Sequence, residues 1–136
     1  MTAGYDPSPM PDSHEPAACA PPVRRFKTPG HVPLATTLGG LRQRIDQLDA
    51  QIVALLAQRA LCVRDATRFK LNPFEVAAPA RQAEVFEGVR ALAALDPTFP
   101  GLPDIVESTY RTLVAGFVAA EGRFFHDTEP IDPPSP

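Results

Sequence analysis

Residues 38–71 place apolar or otherwise distinctive side chains at 41, 45, 48, 52, 55, 59, 62, 66 and 69, in alternating steps of four and three. That spacing marks a helix with a coiled-coil-like seam. At 1.5 Å per residue such a helix is about 50 Å long, more than a small chain needs for a core of its own. It has to pack against something equally long. Thr37 stands where an N-cap belongs, and Pro73 reads as the stop.

Two further helices follow. Pro79 suits a first helical position and opens a segment running to about Leu95. Asp96-Pro97 and Pro100-Gly101 form the next break. A third helix fits 103–126, with apolar positions at 106, 110, 113, 117, 120 and 124. No segment alternates as a strand does, so the fold class is all-α. Three helices of unequal length leave the first one uncovered within a single chain.

Of 17 prolines, 8 fall in residues 1–37 and 4 in 127–136, while the 5 between them stand at element ends. The two ends are expected to be disordered tails, being poor in the aliphatic residues that offset ordering entropy. The expected organisation is a tail over 1–37, a helical domain over 38–126 and a tail over 127–136. A domain of that size buries a small core, which favours self-association. The Arg24-Arg25-Phe26-Lys27 run is assigned to the first tail.

Residues 38–126 hold 10 Lys/Arg and 10 Asp/Glu, a balance that excludes a nucleic-acid partner bound by bulk charge. Cys19 and Cys62 have neither a disulfide framework nor metal-ligand spacing between them. The N-terminal residues lack the apolar core of a signal peptide, and no apolar run approaches a membrane span. A cytoplasmic location without membrane attachment is the expectation.

The charges stand in unexpected places. Arg59 occupies a seam position, and Lys70, three turns on, returns to the same side of the helix. Arg81 shares a face with Val85 and Leu92. On the third helix Tyr110, Val114, Phe117, Glu121 and Phe124 form one stripe, which turns Glu121 inward. Three cations and one carboxylate aimed at a core are costly unless paired or bound to something polar, and the surplus positive charge asks for a small dianion. A second reading stays open: seam cations also set register in a purely structural helical dimer. Arg42 lies 17 residues before Arg59, about 25 Å along a straight helix. Two antiparallel copies of the first helix bring both to one ligand.

The stretch "LRQRIDQLDAQIVALLAQRALCVRDATRFK", residues 41–70, resembles the first helix of the all-helical chorismate mutases. The spacing of Arg42, Arg59, Lys70 and Arg81 adds to that resemblance, which covers residues 38–126. "RFK" followed by "VAAPARQ" is similar to the branch containing isochorismate-pyruvate lyase, as is an aromatic residue at 117. The resemblance implies a three-helix chorismate-mutase-type fold in an intertwined homodimer, acting without metal or cofactor on chorismate or isochorismate. It implies that Arg42 is lent by the partner chain, and that Arg59 and Arg81 hold substrate carboxylates. Lys70 would contact a carboxylate and the ether oxygen of the breaking bond, and Glu121 would be a second donor to that oxygen. Gln82 falls where several mutases bind the ring hydroxyl. The implied activity is the rearrangement of chorismate to prephenate, with the salicylate-forming lyase and a non-catalytic helical dimer as alternatives.

Overall fold

The computed structural model describes residues 15–131. Among the described residues four α-helices follow one another: α1 (Leu38–Ala66), α2 (Pro73–Ala77), α3 (Pro79–Ala93) and α4 (Leu102–His126), with a 3-10 turn at Thr67–Phe69 after α1. Three are long, as the periodicity requires; α2 is a single short turn. No described helix is long and apolar enough to cross a membrane. The chain divides into two compact units, Met1–Leu55 and Leu56–Pro136, with the division inside α1.

In the first unit Thr37 caps α1, its Oγ1 accepting from the N–H of Gly40 at 3.1 Å, which satisfies one of the helix's orphan donors. The expected tails fall partly on residues 1–14 and 132–136, outside the described residues. Residues 15–37 contain neither helix nor strand, yet they touch the start of α1. The Gly39 N–H donates to the Ala18 carbonyl at 3.0 Å. A Cβ on Gly39 would stand 3.1 Å from that of Ala18, so glycine permits the close approach. Arg42 pairs with Glu15 at 3.1 Å, and Arg44 donates to the Leu34 carbonyl at 2.7 Å.

In the second unit α4 is the centre: α3, α2 and the 3-10 turn all pack on it. Val76 of α2 and Val114 of α4 are the buried hydrophobic residues among those described. Along the side of the α3–α4 pair, Arg90 meets Asp104 at 2.6 Å and Arg111 meets Glu107 at 3.3 Å. Arg90, Asp104 and Arg111 are exposed and Glu107 is half-buried, so solvent screens both pairs and they add little to stability.

Pro73 does not stop the first helix. α1 ends earlier, at Ala66, where Thr67 is buried and its hydroxyl turns back to the Val63 carbonyl at 3.4 Å. Lys70 is already extended. Pro73 instead opens α2, a position where its missing N–H costs nothing. Asn72 caps that turn by accepting from Glu75 N–H at 3.0 Å, and the Glu75 carboxylate accepts from Leu71 N–H at 2.8 Å.

Ala78 joins α2 to α3 in the left-handed region, at φ 43° and ψ 60°. A residue with a Cβ held there costs about 1–2 kcal/mol. The corner is fastened by the Ala78 N–H on Phe74 carbonyl at 3.0 Å, the Gln82 N–H on Ala78 carbonyl at 2.9 Å, and the Gln82 side-chain amide on the Ala77 carbonyl. Gly101, at φ 83°, makes the corresponding turn into α4.

Candidate active site

Where α1 gives way to the 3-10 turn, the Ala78 corner and the middle of α4 enclose a cavity of about 380 Å³, within the range of small-molecule sites. Arg59, Lys70, Arg81, Gln82 and Glu121 all line it, with Val85, Val114 and Phe117 as apolar wall. Five of the six residues singled out in the sequence therefore converge on one space inside the second unit. The sixth, Arg42, belongs to the first unit and is paired there with Glu15.

Their environments differ. Glu121 is only 6% exposed, and its Oε1 is buried with no hydrogen-bond partner among the described residues. Burial pushes its carboxyl above the ordinary range, partly opposed by the charge of Lys70. Such a group tends to keep its proton, and a protonated carboxyl carries a donor. Lys70 and Arg59 are half-buried. Among the described residues neither has a carboxylate within 4.0 Å. The Arg59 guanidinium carbon lies 5.1 Å from the centre of the Phe117 ring.

Arg81 departs from the sequence reading. Its side chain is 71% exposed and pairs with Glu84, one turn along α3, at 3.1 Å. Facing was inferred from its shared stripe with Val85 and Leu92, but α3 buries no residue and Leu92 is exposed. Arg81 is thus a rim cation, already paired with a neighbour on its own helix, rather than one aimed at a core. Gln82 is half-buried, and its amide nitrogen is engaged by the Ala77 carbonyl, leaving the side-chain oxygen as the polar atom to offer.

Two contributors were not apparent from the sequence. The left-handed Ala78 sets the wall between Lys70 and Arg81, and no glycine or asparagine marks it. Phe117 and Tyr110, read as core stripe, stand against Arg59 instead. A second depression of about 390 Å³ lies beyond the same wall, sharing Lys70 and Arg81 and bounded by the exposed rings of Phe69 and Phe74.

The arrangement offers cations of two kinds, half-buried and rim, beside a buried carboxyl whose proton affinity is raised by desolvation. It suits a small ligand with two negative groups and an oxygen that gains charge as it reacts. Residues 41–122 match the family model described as chorismate mutase type II. No curated protein matches the chain.

Proposed function

The chain belongs to the chorismate mutase type II family, and from that premise we propose that it converts chorismate to prephenate in the cavity around Glu121. The reaction is an intramolecular [3,3] shift. The ether C–O bond breaks as a new C–C bond forms, and no group is added or lost. The protein's work is to hold a flexible dianion in its compact conformer and to stabilise the charge growing on the ether oxygen.

The observation that carries this reading is the buried Oε1 of Glu121, without a hydrogen-bond partner among the described residues, in the same cavity as Lys70. A polar atom in that condition costs about 1–3 kcal/mol unless something binds it. With its proton retained, Glu121 donates to the ether oxygen, and Lys70 donates to the same oxygen and to a carboxylate. Arg59 grips a carboxylate through its forked N–H groups, Arg81 draws the second from the rim, and Gln82 accepts from the ring hydroxyl.

Arg42 completes the site from a second copy. Ile45, Leu48, Ile52 and Leu55 are each more than half exposed along α1, a seam that an antiparallel copy of α1 covers. Mixing Arg42→Ala with Lys70→Ala protein tests this directly. Half of the re-formed dimers are then mixed, so about a quarter of the sites regain a full set of residues. Activity that stays at the level of the separate variants refutes the shared site.

A second reading is isochorismate-pyruvate lyase, favoured by the ring of Phe117 in the cavity wall. Offering the protein chorismate and isochorismate separately decides the matter. Prephenate from the first supports the mutase, and salicylate with pyruvate from the second supports the lyase. Turnover of neither refutes both.

A further inference from the structure

Arg59 is held differently from several of the described arginines. Arg42, Arg68, Arg81, Arg90 and Arg111 each pair with a carboxylate. Arg59 instead lies over two aromatic rings of α4, its guanidinium carbon 5.1 Å from the centre of Phe117 and 5.9 Å from that of Tyr110. Those rings are seven residues apart, two helical turns, and so stand in line on one face of α4. Both are half-buried, as is Arg59.

The choice of partner has a chemical consequence. A carboxylate would fix the guanidinium by occupying its N–H donors and cancelling its charge. An aromatic face attracts the same cation through the ring quadrupole, and the donors, which lie in the guanidinium plane, remain available. Phe117 and Arg59 line the cavity together, so the donors are held beside the space a ligand fills.

We propose that Tyr110 and Phe117 are positioning residues, which hold the Arg59 guanidinium in place with its N–H donors free for a substrate carboxylate. The inference rests on the reading of Arg59 as a carboxylate binder. It adds that the rotamer freedom of a long side chain is reduced before binding, so that less is lost when the ligand arrives. The aromatic residues of the α4 stripe then act on the substrate through Arg59.

The first test needs no substrate. In the 136-residue chain, side-chain ¹⁵Nε–H relaxation is expected to show Arg59 ordered relative to the exposed Arg123. Phe117→Leu, which keeps an apolar side chain without the ring face, brings Arg59 to the mobility of Arg123, whereas Phe117→Tyr leaves it ordered. The second test is kinetic. Phe117→Leu lowers kcat/KM for chorismate about tenfold, the scale of a partly desolvated cation–π contact, mainly by raising KM. Phe117→Tyr restores it, and in an Arg59→Gln background Phe117→Leu has little further effect. Should Phe117→Leu fail to fold, Tyr110→Leu carries the same comparisons. Arg59 staying ordered in the leucine variant overturns the proposal, as does an undiminished loss in the Arg59→Gln background. A wild-type protein without chorismate turnover refutes the proposed reaction instead, and the relaxation comparison still decides the positioning role.

Discussion

The first half of α1 and the middle of α4 carry stripes of comparable regularity, but their surroundings differ. On α4, Val114 and Glu121 are buried under the chain's own α2, α3 and 3-10 turn. On α1 no residue is buried, and Ile45, Leu48, Ile52 and Leu55 remain open. A periodic stripe states that a face must be covered; it does not state by what. The stripe on α4 is covered from within and encloses a polar group, whereas the seam on α1 stays exposed among the described residues, and the proposed dimer would cover it. In the proposed dimer, covering each seam side chain would contribute about 1 kcal/mol, so the two regions would also differ in where their stability comes from.

Substitutions can sharpen that contrast. The largest effect is expected inside the cavity. Lys70→Ala is predicted to lower kcat/KM for chorismate by on the order of 10² or more, the cost of removing a preorganised donor at a developing oxyanion. Circular dichroism should show an unchanged helical content. Next comes the seam. Ile52→Glu places a charge where the second copy is expected, and burying it unpaired is prohibitive. Sedimentation should then find monomers at concentrations where the wild type is a dimer, and activity should fall with assembly. A wild type that is monomeric at micromolar concentration breaks the comparison at its root.

Within the cavity, half-buried and rim cations should separate. Arg81 is exposed and already partnered by Glu84, so Arg81→Ala is expected to cost roughly tenfold in kcat/KM, less than Arg59→Ala, since an exposed charge is screened by solvent. Equal losses would return Arg81 to the interior. The smallest effect belongs to the first unit. Glu15→Gln removes a surface ion pair worth between 0 and about 1 kcal/mol, and freeing Arg42 in this way should lower KM by no more than about fivefold.

The helices themselves were legible because long elements repeat their signal over many turns. α2 was not, since five residues hold too little periodicity, and Pro73 serves equally as the end of one helix and the start of another. Glu121 could be placed inward because Val114 and Phe117 flank it on a packed face. Arg81 could not, because α3 buries nothing and its stripe carries no information about depth. The contacts of Arg59 with Tyr110 and Phe117 were hidden for another reason: an aromatic residue at a core spacing looks the same whether it packs on a leucine or on a cation. The left-handed backbone of Ala78 gave no sign, since alanine carries no side-chain chemistry that favours that conformation.

Glu121 offers the most direct test of the account. Its carboxyl titrates above the ordinary range because it is buried. The neutral form is therefore favoured in the folded state, and the stability this gives is present at low pH. It is lost as pH rises from the ordinary carboxylate value through the raised one. Glu121→Gln should accordingly melt above the wild type at pH 8, with the margin shrinking towards pH 4. The decisive measurement is kcat/KM for chorismate from pH 5 to 8 in both proteins. Wild-type activity should rise as pH falls and the carboxyl gains its proton, while the glutamine variant stays level. A wild-type profile as level as that of Glu121→Gln would contradict the claim that a protonated Glu121 donates to the breaking bond.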